Sequence, residues 1–85
     1  MRQIIFKPQA YLQYMQWAEE DKKTFDKIYK LIEITLSEPF KGIGKPEPLK
    51  HQLKGYWSRR ITKEHRLVYQ VTDVSIIIIS CKYHY

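Results

Sequence analysis

The chain has 85 residues, room for one domain over residues 1–85 but not for a second or for a large enclosed substrate cavity. A domain this short buries only about 60% of the surface its unfolded chain exposes, so any chemistry belongs in an open groove against a large partner. Fifteen Lys and Arg against nine Asp and Glu leave a formal charge of +6, which favours a polyanion: nucleic acid first, an acidic protein second, an anionic membrane third.

In chain order, β-branched and aromatic residues predict a first strand from Gln3 to Phe6. Pro8 suits the first turn of a helix, where its missing N–H costs nothing. Tyr11, Leu12, Tyr14, Met15 and Ala18 recur at helical spacing and carry that helix to Glu20. Asp21 is a natural N-cap for a second helix, whose buried stripe is Phe25, Ile28, Leu31, Ile32 and Leu36. Pro39 ends it, because the residue before a proline is driven out of helical angles.

The stretch "PFKGIGKPEPLKH" has the composition of a shaped, irregular loop. Three antiparallel strands follow, in "GYWSRRIT", "HRLVYQV" and "SIIIISCKYHY", separated by short polar turns. The order predicts an α+β fold with two helices on one face of a twisted sheet. Period-two alternation puts Leu67, Tyr69 and Val71 on the covered face and Arg66 on the other. In the last strand Ile77, Ile79, Cys81 and Tyr83 form the expected core set, with Ser80, Lys82 and His84 on the open face. For Arg66 and His84 to share a side, the connection near Asp73 needs an odd number of loop residues or a bulge, and three residues are expected.

The single cysteine, Cys81, excludes an internal disulfide and fits a reducing compartment. It reads as a small buried hydrophobe. His51, His65 and His84 lack metal-site spacing, so neither a metal nor another cofactor is expected. The start "MRQIIFKPQAY" lacks a signal-peptide core, and the apolar run Ile76 to Ile79 is far too short for a membrane span. A cytoplasmic location is expected.

Metal-free RNA cleavage needs a base for the ribose 2′-hydroxyl, a cation for the charged phosphorane and an acid for the leaving 5′-oxygen. Glu47, held extended between two prolines and flanked by Lys45 and Lys50, is the candidate base; a solvated loop glutamate is the competing reading. Arg66 is the candidate phosphate clamp, because a guanidinium forks onto phosphate oxygens and stays charged. Arg59 and Arg60 point to opposite faces, and parity alone does not say which meets a substrate. Lys50, Lys54 and Lys82 are candidates for flanking phosphates. His84 is the candidate acid, with His51 as second choice. His65 shares parity with Leu67 and fits a half-buried, hydrogen-bonded role. Tyr56, Trp57 and Tyr85 can stack on bases, although packing is the commoner use of strand aromatics.

The stretch "GKPEPLKHQLKGYWSRRITKEHRLVY", with the closing "YHY", resembles the YoeB (Txe/YoeB) toxins of the RelE group. The resemblance implies the fold of small microbial ribonucleases and a ribosome-dependent endoribonuclease that cuts mRNA in the A site, inhibiting translation. It implies Glu47 as general base, Arg66 as transition-state arginine, His84 as general acid and Tyr85 as a residue shaping the site. Lys50 and Arg60 fall at matching basic positions. It further implies a YefM-like antitoxin with an acidic, partly disordered segment, operator DNA met through the antitoxin complex, and a homodimer. The competing class is a ribosome- or nucleic-acid-binding module without catalysis.

Overall fold

The computed structural model describes residues 2–83. Strand β1 (Gln3–Phe6) leads through Lys7 into helix α1 (Pro8–Glu20), and a one-residue break at Asp21 starts helix α2 (Lys22–Ser37). The short β2 (Glu47–Pro48), a 3₁₀ turn (His51–Leu53), and strands β3 (Tyr56–Arg60), β4 (Arg66–Val71) and β5 (Ser75–Ser80) complete it. Local chemistry explains the helix ends. Pro8 opens α1, and the Asp21 carboxylate accepts from the Thr24 N–H and hydroxyl to cap α2. These hydrogen bonds hold the Asp21 carboxyl below its ordinary pKa.

The five strands lie in the order β1-β5-β4-β3-β2. The expected antiparallel pairing holds from β3 through β5, and Glu47–Pro48, read from the sequence as loop, adds a short antiparallel strand beside β3, but β1 runs parallel to β5, with Ile4 beside Ile76 and Phe6 beside Ile78. The sheet is therefore mixed. Parallel neighbours need a long crossover, and the two helices begin the one used here.

Both helices cover one side. The core joins Ala10 and Trp17 of α1, Ile28, Leu31 and Ile32 of α2, and Leu67, Tyr69, Ile76 and Ile78 of the sheet. In α2, Ile28, Leu31 and Ile32 are buried as its sequence predicts, Phe25 and Leu36 pack half-buried beside them, and Thr24 and Thr35 are buried as well. The α1 stripe is not the expected one: Ala10, Gln13 and Trp17 are buried, whereas Tyr11, Leu12, Met15 and Ala18 face out. Gln13 can lie inside because its side-chain oxygen accepts the Cys81 N–H at 2.8 Å.

The face assignment of β5 is also corrected. Ile76 and Ile78 enter the core, and Ile77 and Ile79 are only half-buried. Three residues separate β4 from β5, as expected, but Thr72 still donates to Ser75 across the turn, so only Asp73 and Val74 form its tip. Parity shifts instead at a bulge: Tyr69 pairs with Ile78 and Val68 with Ser80, leaving Ile79 as the extra residue. Beyond it the chain bends onto α1. Cys81 is fully buried, and burial pushes its thiol up to about 12, which keeps it an inert hydrophobe as the sequence suggests.

Candidate active site on the uncovered sheet face

Cross-strand pairing aligns the residues of the face opposite the helices, where Val68 and Ser80 are buried and Glu47 and Arg60 exposed. Glu47 pairs with Ser58, Ser58 with Val68, and Val68 with Ser80, so these four form one row across the sheet. Their neighbours Trp57, Tyr69 and Ile78 turn to the helices. Arg60 and Arg66 are a direct pair on the same face, two residues along from Ser58 and Val68. With strands about 4.8 Å apart and residues rising about 3.3 Å, the Cα atoms of Glu47 and Arg66 lie about 12 Å apart. Two long side chains can reach toward a group lying between them.

Arg66 is half-buried. Its Nη1 donates to the carbonyls of Thr62 at 3.0 Å and His65 at 3.2 Å, which fixes the guanidinium plane on the β3–β4 turn. The Nε and Nη2 edge takes no partner among the described residues, leaving the fork geometry that suits a phosphate. Glu47, Arg60, Lys50 and His51 are exposed, the last two at the 3₁₀ turn that follows β2. Lys54 is exposed there as well, and Tyr56 sits half-buried on the open face.

Arg59 is not a substrate contact. It is fully buried, and its guanidinium donates to Ile43 O at 2.7 Å, Lys41 O at 2.9 Å and Glu38 O, while Nε meets the Tyr69 hydroxyl at 3.2 Å. Tyr69 in turn donates to Pro39 O at 2.6 Å. Burial raises the Tyr69 pKa against the opposing pull of Arg59, so its hydroxyl remains a donor. The two side chains thus tie down the loop 38–44 that delivers the chain to Glu47. Gly44 completes the tie: at φ +89 it lets its carbonyl accept the Arg60 N–H at 2.7 Å, where a Cβ would lie 3.2 Å from Arg60 O. A signal for this role was present. Trp57, Arg59 and Ile61 alternate as one set, and the outer two are apolar.

Lys82 is likewise corrected. Its ammonium donates to Gln16 and Glu20 of α1, each at 3.2 Å, and lies 5.1 Å from the Trp17 ring centroid. It is committed to the helix side rather than to the open face. Tyr83, expected in the core, is 61% exposed. Trp57 follows the packing reading: it is half-buried against the core, with Phe40 at 4.9 Å between ring centroids. His65 takes its expected half-buried place, edge-on to Trp17 and accepting a hydrogen bond from the Tyr83 N–H. His84 and Tyr85 lie outside the described residues. Among the described residues no group of His, Cys, Asp and Glu could hold a metal ion.

Two helices on one side of a sheet, with Glu47, Arg60 and Arg66 on the other, define a small basic α+β protein. Residues 6–85 match the model of the YoeB-like toxins of bacterial type II toxin–antitoxin systems. The chain is 55% identical over 82 residues to toxin YoeB of Escherichia coli K12, covering 96% of this chain and 98% of that one. A YoeB dimer structure from Staphylococcus aureus superposes with a TM-score of 0.92 at 50% identity, covering 99% of this chain and 98% of its own. A YoeB–YefM complex from the same organism gives 0.90 at 49% identity, over 100% and 99% of the two chains. The chain belongs to the YoeB family of toxins.

Proposed function

We propose that this toxin is a metal-independent endoribonuclease that cuts mRNA in the ribosomal A site and so inhibits translation. The observation that carries this reading is the Glu47 carboxylate sharing the uncovered face with Arg60 and Arg66, in a member of the YoeB family. Glu47 takes the proton of a ribose 2′-hydroxyl as that oxygen attacks the adjacent phosphorus. Arg66 presents the free edge of its guanidinium to the phosphorane oxygens, where charge accumulates in the transition state. His84 gives its proton to the departing 5′-oxygen, leaving a 2′,3′-cyclic phosphate and a 5′-hydroxyl. Each proton transfer of this kind typically contributes about 10²–10⁴-fold. Tyr85 shapes the site, and Arg60, Lys50 and His51 hold flanking phosphates.

A neutralising antitoxin of the YefM kind, a homodimer and operator DNA reached through the antitoxin complex complete the reading. The first two draw on the S. aureus YoeB–YefM complex and YoeB dimer. Incubation with translating ribosomes, followed by mapping of mRNA ends, tests it. New ends in the A-site codon bearing a cyclic phosphate are expected. Tight ribosome binding without new ends would instead identify a non-catalytic binding module.

A further inference from the structure

Tyr83 stands at φ +64, a left-handed backbone angle that a bulky non-glycine residue rarely adopts. Both of its backbone polar groups are engaged. Its N–H donates to His65 Nδ1 at 2.7 Å, and its carbonyl accepts the Arg66 N–H at 2.8 Å. The segment before it is held as closely: Cys81 donates to Gln13, and Trp17 Nε1 donates to the Cys81 carbonyl at 2.8 Å. Such a strained angle persists only where its surroundings impose it, and such angles concentrate at functional sites.

We infer that His65 is a positioning residue: its neutral imidazole locks the Tyr83 backbone in the left-handed turn, at the residue that immediately precedes the candidate acid His84 in the sequence. Only the tautomer with its proton on Nε2 can accept the Tyr83 N–H at Nδ1. Trp17, 4.9 Å away and nearly perpendicular to the imidazole, holds that ring's plane. A proton on Nδ1 would set a donor against the Tyr83 N–H, so the lock requires the neutral ring. Charged groups among the described residues lie on three sides of it. Glu64 Oε1 lies 3.8 Å from Nε2 on the same turn. Lys82, paired with Glu20 of α1, lies over the rings of Trp17 and Tyr83, and Arg66 Nη1 bonds the His65 carbonyl.

The consequence for cleavage rests on the ribonuclease reading above, whereas the lock itself does not, and two readouts separate them. His65→Asn keeps an acceptor near the place of Nδ1 but discards the ring. His65→Phe keeps a ring against Trp17 but has no acceptor. In the full-length protein, the Tyr83 amide proton is followed by NMR. A downfield, exchange-protected amide is expected in wild type. It should stay downfield in His65→Asn and move upfield in His65→Phe. A wild-type-like Tyr83 amide in a folded His65→Phe would overturn the lock.

The second readout is single-turnover mRNA cleavage on ribosomes. His65→Phe should lose about 10²-fold in rate at unchanged ribosome affinity, the scale on which small misplacements act, and His65→Asn should recover most of it. Equal cleavage by His65→Phe and wild type would overturn the positioning role. A wild type whose amide behaves as stated but which makes no cut would fault the ribonuclease reading and leave the lock standing.

Discussion

At the scale of single residues, the uncovered face separates groups that resemble one another in sequence. Arg59 and Arg60 are neighbours, yet one is sealed among backbone carbonyls and the other is exposed beside Arg66. Glu47→Gln keeps the shape and hydrogen-bonding capacity of the side chain while removing its basicity. Cleavage should fall by about 10²-fold or more with ribosome binding retained. Single-turnover kinetics beside a filter-binding assay check this, and undiminished cleavage would remove Glu47 from the base's role. Arg66→Lys keeps a positive charge but loses the planar fork, and a lysine ammonium cannot reproduce both the turn contacts and a phosphate contact at once. It should not rescue cleavage. A lysine variant as fast as wild type would reduce Arg66 to a general electrostatic contact.

At the scale of elements, legibility in the sequence followed the locality of the information. The bounds of β1 and α1 and the Asp21 cap coincide with expectation, because capping and proline chemistry act within a few residues. The core face of β5 was misread for the opposite reason. Four consecutive isoleucines carry no alternation, so their faces are set by β1 alongside and by the bulge at Ile79. Helix α1 misled because its buried stripe contains Gln13, a polar residue whose side-chain oxygen is satisfied by the distant Cys81 amide. The candidate site was half legible: Arg66 falls on the face that parity assigns it, Glu47 and Arg60 join it only through cross-strand pairing that the sequence left open, and Arg59 and Lys82 serve the fold. The loop 38–44 could be recognised as irregular, but its tie to Arg59 and Tyr69 spans the chain. That tie makes a prediction. Tyr69→Phe leaves Pro39 O and Arg59 Nε each without a buried partner, which typically costs about 1–3 kcal/mol per group. Thermal melts should show that loss. Cleavage, measured well below the melting temperature, should also fall, because the loosened loop delivers Glu47. A variant with lowered stability but full activity would show that Glu47 is positioned by its pairing with Ser58 alone.

At the scale of the molecule, helices cover one side of the sheet, and on the other Val68 and Ser80 are buried while Glu47 and Arg60 stand exposed. Among the described residues no helix is long and apolar enough to cross a membrane. The formal charge of +6 should make ribosome association fall steeply as salt rises, since cations that neutralise phosphates release counterions. The same charge suits a reversible cover: an acidic segment, disordered when free, can fold across the sheet face and wrap a large area at modest affinity per unit of surface. The expected outcome with a purified neutralising partner is protection of Arg60 and Arg66 from arginine-directed reagents, lost when the partner's acidic segment is deleted. Lys22, exposed on α2 and paired with Asp26 away from the sheet, serves as the internal control and should react with amine reagents equally in both states. A partner that abolishes cleavage while both arginines stay as reactive as in the free toxin would show that neutralisation works through the helices or the chain end, and that the open face is not what the antitoxin covers.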